Sequence, residues 1–480
     1  MKQQNKTLLS PDFCVIGAGS GGLSFAAGAS QMGASVVLVE RAKMGGDCLN
    51  YGCVPSKSLI AAAQIGHDIK TASKFGWRVD EPKADFKKVH DHVRGVIAAI
   101  APNDSVKRFE GLGVTVISEE GQFKDERTVE TKTHLIRAKR FVIATGSHPF
   151  IPPIEGLSQI PYYTNETIFD LQELPEHFVV IGGGPIGIEL AQAFHRLGSQ
   201  VTVLEAFKAL PKDDPEITAK LKEILIEEGI NIQENVKIIS FHKKLKQIEC
   251  FYEDEGGNSH KVLASHLLVA TGRRPSIETL NLEVAHVKFS PRGIEVDSHL
   301  KTSNSRIYAV GDCAGAYQFT HVANYHAGLV IRNSIFKLNA KVQTAAIPWV
   351  TYTDPELAHV GFLESQLQAQ NMPYKALKLD FSDNDRAQAE RRTEGMIKVL
   401  VSPKGIILGA TILGASAGEL IYPWIIAIQN KLKISALANS IAPYPTLSDI
   451  NKRIAGQFYV DKLFSSRMKN IVSWLMWFTR

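Results

Sequence analysis

The amino-acid sequence predicts an α/β protein with two similar parallel-sheet domains and a third, C-terminal domain. Two segments support this prediction, because each runs from an apolar strand through a glycine-rich turn and a helix into a second apolar strand; they are residues 13–40 and 177–205. The third observation is the length of 480 residues, which suits about three domains. A hydrophobic content of 44% and a charged content of 21% are typical of a globular protein.

The first segment, residues 13–40, contains the motif Gly17-x-Gly19-x-x-Gly22 between its first strand and its helix. The pattern is typical of a turn that binds a dinucleotide. Gly17 makes the tight turn, Gly19 lets the backbone approach a pyrophosphate, and Gly22 lets helix and strand pack closely. The helix N-terminus offers amide donors to the phosphates. Glu40 ends the second strand, where a carboxylate accepts from a ribose hydroxyl.

The second segment, residues 177–205, repeats the design with Gly182, Gly184, Gly187 and Glu205. Each acidic residue lies 23 positions after the first glycine of its motif. Two matched copies indicate two Rossmann-like domains and two different dinucleotides, one a bound flavin and one an exchanging nicotinamide. Glu205 favours NAD(H) over NADP(H), because a carboxylate would repel the 2′-phosphate. Lys208 and Lys212 lie a few residues later and would soften that preference.

Two cysteines, Cys48 and Cys53, lie close together in the stretch GGDCLNYGCVPSK, residues 45–57. Residues five apart in a regular helix are about 8.6 Å apart, whereas a disulfide needs less than about 7 Å. A bridge would therefore require a distorted turn, for which Gly52 is suited, and Pro55 fits a helix that begins just after the pair. A redox couple is favoured over a zinc site, which needs four ligands, and over a structural bridge.

The remaining composition restricts partners and location. The formal net charge is +5 with scattered Lys and Arg, which gives no footprint for nucleic acid. Five cysteines at irregular spacing do not form a secreted disulfide framework. No signal-peptide core and no apolar run of about 18 residues is present, so a cytoplasmic location is expected. No metal site is predicted.

The motifs together resemble the class I pyridine nucleotide-disulfide oxidoreductases, a family that includes dihydrolipoamide dehydrogenase and mercuric reductase. Beside the cysteine stretch, the resemblance rests on FVIATGSHP, LLVATGRRP, IYAVGDCAG and VTYTDPELAHVG. It implies an FAD-binding domain (residues 1–150 and 276–345), an NAD(P)-binding domain (151–275) and an α+β dimerisation domain (346–480) that builds a homodimer.

The resemblance also implies roles for individual residues. Cys48 would be the outer thiol that meets substrate, and Cys53 the inner thiol beside the flavin. Lys57 would lie near the flavin and pair with Glu189, holding positive charge where reduced flavin gathers negative charge. Further contacts are implied for FAD from Gly46, Thr145, Gly146 and Asp312, with His321 a weaker candidate, and for NAD from Gly272.

The chain departs from the family near its C-terminus, in the stretch IAPYPTLSDINKR. Tyr444 occupies the position of the family's acid–base histidine, and Asp449 that of its glutamate. Tyrosine titrates near 10 and is a poor base at neutral pH, which argues against ordinary dihydrolipoamide oxidation. No cysteine follows Cys313, whereas mercuric reductase delivers its ion through a C-terminal pair. The substrate is therefore expected to be a thiol, a disulfide or a soft metal ion, with dihydrolipoamide or a quinone as alternatives.

The final stretch, residues 464–480, combines basic residues with Ile471, Val472, Trp474, Leu475, Trp477 and Phe478. This composition is typical of an amphipathic helix that lies on a membrane surface. A terminal helix packed across the dimer is the alternative. The sequence therefore leaves peripheral contact with the inner membrane open.

Overall fold

The computed structural model describes residues 6–315 and 317–479, and these form two compact units. The first unit comprises the chain up to Ala206 together with Ile230–Val342, and the second comprises Phe207–Gly229 and the chain from Gln343 onward. Both glycine motifs and both close cysteines belong to the first unit. The boundaries predicted between the FAD and NAD(P) domains stay a prediction.

The first glycine motif lies at the end of one strand of a five-stranded parallel sheet. Its strands lie in the order Ile307–Ala309, Arg140–Ile143, Phe13–Ile16, Val36–Val39 and Val114–Ile117. Strands Phe13–Ile16 and Val36–Val39 are apolar and buried at every position, as expected for parallel strands that are covered on both faces. Side chains of helices Ser20–Gln31 and Thr320–Ser334 pack with these strands in one hydrophobic core.

The second glycine motif lies at the end of one strand of a four-stranded parallel sheet. The strand order of this sheet is Asn231–Gln233, Gln200–Leu204, His177–Ile181 and His266–Val269. Helix Pro185–Leu197 connects two of these strands. An antiparallel sheet, Lys237–Lys244, Gln247–Glu253 and Ser259–Ala264, adds to the same core. The two parallel sheets confirm the predicted pair of Rossmann-like folds.

Smaller elements complete the first unit. The remaining strands are Thr7–Leu9, His134–Ile136, Thr128–Glu130 and Gln122–Asp125 in one sheet, and the pairs Ser147–Pro149 with Arg273–Pro275 and Phe289–Ser290 with Gly293–Ile294. The remaining helices are Gly46–Asn50, Cys53–Thr71, Phe86–Ile100 and Val106–Gly111. A 3₁₀ turn at Ala101–Asp104 separates the last two, at the proline that cannot continue a helical hydrogen-bond ladder.

The second unit is built on an antiparallel sheet with strand order Pro348–Thr351, Glu356–Gly361, Ile407–Gly414, Met396–Val401 and Lys375–Asp380. Its helices are Pro215–Glu228, Glu364–Ala369, Asp385–Glu390, Ala417–Leu420, Tyr422–Gln429, Ser435–Ala438, Asp449–Leu463 and Ser466–Phe478. This α+β architecture agrees with the sequence prediction.

One buried charge cluster ties the sheet of the second unit to its helices. The Lys398 side chain is only 3% exposed, and its ammonium group contacts Asp214 at 2.9 Å and Glu216 at 3.1 Å, as well as Glu364. Because an unpaired buried charge is costly, three carboxylates around one cation make this position tolerable. Across residues 6–315 and 317–479, no helix has the length and apolar character needed to cross a membrane.

Candidate functional site

The two close cysteines lie on either side of a break between two helices. Cys48 belongs to the short helix Gly46–Asn50, and Cys53 is the first residue of the cysteine helix, Cys53–Thr71. The helix thus begins at the second cysteine and not after the pair. Both residues are thiols in the structure. A side chain at Gly52 would place its Cβ only 2.7 Å from the Asp47 carboxylate, so a larger residue there would displace the Asp47 side chain.

The two thiols differ in acidity. The pKa of the Cys53 thiol is lowered from 9.0 to about 6, and the hydrogen bond from Cys48 is the largest cause, against the opposing effect of burial. The hydroxyl of Thr320, which lies 3.4 Å from the Cys53 sulfur, and the charge of Lys57 also contribute to this lowering. The pKa of Cys48 is raised, because it gives its proton to the bond with Cys53. A thiolate at the first residue of a helix also benefits from the helix dipole.

An ion pair lies one turn along the cysteine helix. The Lys57 ammonium nitrogen is 2.6 Å from Glu189 Oε2, and the Glu189 side chain is 7% exposed. Glu189 belongs to the helix of the second glycine motif, Pro185–Leu197. The pairing expected from the resemblance is thus present, and a fixed positive charge stands four residues from Cys53.

A hydrogen-bond network joins Asp47, the neighbour of Cys48, to Asp312 in the stretch IYAVGDCAG. Arg273 donates to Asp47 Oδ1 at 3.1 Å and to Ser147 Oγ at 2.7 Å. Ser147 in turn donates to Asp312 at 2.6 Å, and buried Asn165 donates to Asp47 at 2.9 Å. Burial raises the pKa of Asp312, and the Ser147 bond and the Arg273 charge oppose that effect. The cysteine segment is therefore held from outside its own helix.

The first glycine motif forms a cradle that side chains would fill. A Cβ at Gly22 would lie 1.9 Å from the carbonyl oxygen of Gly17, and Gly17 itself has φ +102°. Gly46 packs on the motif, since its Cβ would lie 2.6 Å from the Cα of Gly19. This close approach brings the start of the cysteine segment to the site where a dinucleotide would bind.

The second motif has the same geometry. A Cβ at Gly187 would lie 2.0 Å from the carbonyl oxygen of Gly182, and Gly182 has φ +107°. At Gly184, in contrast, an added Cβ would have no atom of the described residues within 4 Å, apart from those of its own chain neighbours. The middle glycine therefore faces open space, as a position that admits a pyrophosphate requires.

The acidic residue of each motif is held by the backbone amide that follows the first glycine. Ala18 N–H donates to Glu40 at 2.6 Å, and Gly183 N–H donates to Glu205 at 2.5 Å. Ala42 N–H donates to the other oxygen of Glu40 at 2.7 Å. Each carboxylate is thus fixed at the carboxyl end of its sheet, where nucleotides bind in such folds.

The other predicted cofactor residues also lie beyond strand ends. Thr145 and Gly146 follow strand Arg140–Ile143, and Gly272 follows strand His266–Val269. His321 lies in the first turn of helix Thr320–Ser334, with its ring stacked on that of Phe319 at 5.3 Å. These positions suit cofactor contacts, and the contacts themselves stay a prediction.

Tyr444 and Asp449 belong to the second unit. The Tyr444 hydroxyl donates to Asp385 Oδ2 at 2.8 Å, and the side chain is 72% exposed. This hydrogen bond raises the pKa of Tyr444 above 10, with a smaller contribution from the charge of Asp449. Asp449 begins the helix Asp449–Leu463. Tyr444 is thus protonated at neutral pH and donates a hydrogen bond.

Five residues of the site were not predicted from the sequence: Asp47, Ser147, Asn165, Arg273 and Thr320. Asp47, Ser147 and Arg273 stood within quoted motifs but carried no assigned role. Asn165 and Thr320 lie in stretches without a motif, and their partners are 118 and 267 positions away. Only the position of Asp47 beside one of two closely spaced cysteines was a usable signal.

Comparison with known families gives two matches. Residues 11–327 match the family described as pyridine nucleotide-disulphide oxidoreductase, and residues 347–454 match the dimerisation domain of the same family. The second match supports a homodimer.

Relatives and solved structures agree with these matches. A mercuric reductase of Bacillus cereus is 36% identical over 91% of this chain and 70% of its own length. A dihydrolipoyl dehydrogenase of Thermus scotoductus is 35% identical over 91% of this chain and 95% of its own. Among solved structures, LpdA of Mycobacterium tuberculosis superposes with a TM-score of 0.85 at 25% identity, covering 94% of this chain and 99% of its own. The flavoprotein disulfide reductase RclA of Escherichia coli gives 0.83 at 26% identity, covering 92% and 99%.

Proposed function

Because the chain belongs to the pyridine nucleotide-disulphide oxidoreductase family, whose members use FAD and a pyridine nucleotide, we propose that Cys48 and Cys53 are its redox couple. The couple would pass electrons between a nicotinamide and a thiol, disulfide or soft-metal substrate. The observation that carries this proposal is the placement of Cys48 and Cys53 on either side of a helix break, with the Thr320 hydroxyl 3.4 Å from the Cys53 sulfur and Lys57 one turn along the helix. This arrangement lowers the pKa of Cys53 and raises that of Cys48.

That division matches the balance of the reaction. A disulfide that gains one hydride equivalent, two electrons and one proton, breaks its S–S bond and becomes one thiol and one thiolate. Cys48 keeps the proton, and it would pass that proton to the Cys53 thiolate through their hydrogen bond when the Cys48 sulfur attacks a substrate disulfide or binds a soft metal ion. Cys53 keeps the negative charge at the helix start, where the Cys48 and Thr320 hydrogen bonds stabilise it.

The residues present fit FAD at the first glycine motif. Gly17, Gly22 and Gly46 leave no room for side chains, and the fixed Glu40 carboxylate suits a ribose hydroxyl. FAD would supply the two-electron relay between nicotinamide and disulfide. Lys57, held by Glu189, would place a positive charge near the site where negative charge gathers.

The second motif supports a preference for NAD(H). Gly183 fixes the Glu205 carboxylate at the strand end, where it would accept from a 2′-hydroxyl and repel a 2′-phosphate. Comparing NADH with NADPH as the reductant of the same enzyme tests this preference. We expect a clearly lower KM for NADH, and equal KM values would contradict the role given to Glu205.

Anaerobic reduction of the flavin-loaded enzyme tests the redox couple. We expect the enzyme to take up twice as many electrons per flavin as Cys53→Ser, together with long-wavelength absorbance from a thiolate beside the flavin. Cys250→Ala is the matched control, because Cys250 is buried in a strand distant in sequence from the pair. If Cys53→Ser matched the parent enzyme in uptake and spectrum, the couple would not be catalytic.

For the electron acceptor we propose a chemical class, a disulfide or a soft metal ion. Turnover with NADH against glutathione disulfide, lipoamide, Hg(II) and a quinone ranks the candidates. A disulfide or soft metal ion needs Cys48, so Cys48→Ala would abolish that turnover. A quinone acceptor, the alternative, would leave Cys48→Ala active.

We also propose peripheral membrane contact through the C-terminal tail, supported by its exposed apolar side chains.

A further inference from the structure

The last helix of the chain, Ser466–Phe478, is here called the C-terminal helix. None of its residues is buried, although most are apolar. Trp474, Trp477 and Phe478 are 59%, 69% and 62% exposed. Large aromatic side chains grouped on a protein surface mark an interaction site.

Two opposite stripes run along this helix. Met468, Ile471, Val472 and Leu475 have the spacing i, i+3, i+4, i+7, which places them on one face. Ser466, Asn470 and Ser473 have the spacing i, i+4, i+7 and lie on the opposite face. The helix is therefore amphipathic, with an apolar face that the rest of the unit leaves partly exposed.

Positive charges border the apolar face on both sides. At 100° per residue, Arg467 and Lys469 fall on opposite flanks of the stripe that contains Leu475. No acidic residue follows Asp461 in the sequence. Lysine and arginine at the flanks of an apolar face extend their charged ends toward lipid headgroups.

Trp474 and Phe478 add aromatic side chains beside the apolar face. The ring of Phe478 contacts those of Trp474 at 4.6 Å and Trp477 at 5.1 Å. Tryptophan is enriched at the boundary between hydrocarbon and headgroups. The helix has 13 residues and a length of about 20 Å, which is too short for a hydrocarbon core of about 30 Å but suits a position in the interface.

We infer that the C-terminal helix docks the enzyme on a membrane surface that carries anionic lipids. This inference deepens the proposed peripheral contact by naming the lipid charge and the orientation of the helix in the interface. The charge complementarity of Arg467 and Lys469 selects this occupant over a second copy of the chain. The match to the dimerisation domain ends at residue 454, twelve residues before the helix begins.

Vesicle flotation of the full-length, flavin-loaded enzyme tests the inference. We expect recruitment to vesicles of phosphatidylcholine with phosphatidylglycerol, and much weaker recruitment to phosphatidylcholine alone. Replacing Arg467 and Lys469 by Gln should weaken binding about fivefold per charge, since each cation near an anionic surface contributes about 1 kcal/mol. Lys87→Gln and Lys404→Gln, which are exposed lysines elsewhere, are the matched controls.

The apolar contribution is tested with Trp474→Ser and Leu475→Ser. These variants should lose recruitment, whereas Trp77→Ser should keep it, because Trp77 is 70% exposed outside this helix. Sedimentation of the same variants measures the dimer. If Trp474→Ser and Leu475→Ser dissociate the dimer, or if the intact enzyme binds neither type of vesicle, the inference is wrong. Reduction by NADH, followed in parallel, reports separately on the proposed redox function.

Discussion

Replacing Thr320 by valine should raise the pKa of the Cys53 thiol. The Thr320 hydroxyl lies 3.4 Å from the Cys53 sulfur, whose pKa is about 6. A hydrogen bond to a charged group contributes about 1.5–3 kcal/mol, and about 1.4 kcal/mol corresponds to one pKa unit. Because this bond is long, we expect a rise of about one unit, to about 7.

The direction of the change in the Cys53 pKa follows from which protonation state of Cys53 accepts the hydrogen bond from Thr320. The thiolate accepts from the Thr320 hydroxyl, so valine destabilises the thiolate and leaves the thiol unaffected. At pH 7 the thiolate fraction should fall from about 90% to about 50%. The other groups that face Cys53, namely Cys48, Lys57 and Asp47, are unchanged by this substitution.

The assay is a pH titration of the two-electron-reduced, flavin-loaded enzyme, followed by the long-wavelength absorbance of the thiolate beside the flavin. The parent enzyme should gain this absorbance with a midpoint near 6 and Thr320→Val with a midpoint about one unit higher. Thr320→Ser keeps the hydroxyl and should retain the parent midpoint. An unchanged midpoint in Thr320→Val, or the same shift in both variants, would refute the role of this hydrogen bond.

Three further predictions concern other parts of the molecule. Gly184→Ala should keep the parent melting temperature and flavin content but raise the KM for NADH, because its Cβ would meet no atom of the described residues within 4 Å beyond its chain neighbours yet would occupy the path of a pyrophosphate. Lys398→Met should lower the free energy of unfolding by about 3–5 kcal/mol, measured by chemical denaturation, because Asp214 is 2% exposed and would keep an unpaired charge. Tyr444→His should create dihydrolipoamide oxidation that rises with pH through the histidine pKa, since Tyr444 is held as a hydrogen-bond donor by Asp385. No gain of this activity would mean that Tyr444 does not set the substrate range.

The parts of the site that the sequence predicted are those encoded within short stretches. The two glycine motifs depend on contacts within a single strand–turn–helix unit, so that spacing alone indicated Gly17, Gly22 and Glu40 and their counterparts. The amide of Ala18 that holds Glu40 could not be read from the pattern, because it depends on the path of the turn.

The parts that the sequence did not predict depend on long-range contacts. Arg273 reaches Asp47 across 226 positions, and Asn165 reaches it across 118. A single arginine or asparagine has no local signature when its partner is set by the packing of separate strands and loops. The pairing of Lys57 with Glu189, 132 positions apart, was expected only through the family resemblance.

The charges near the cysteines are arranged in pairs, and this determines what controls the thiolate. Lys57 is paired with Glu189, and Asp47 with Arg273, so each charge near Cys53 is partly neutralised by its partner. The largest effect on the Cys53 pKa is accordingly the hydrogen bond from Cys48, ahead of the charge of Lys57. Salt screens exposed charges but not a hydrogen bond between adjacent sulfur atoms. The thiolate population therefore depends on the geometry of the helix start, which Gly52 and the Asp47 network hold in place, more than on ionic strength.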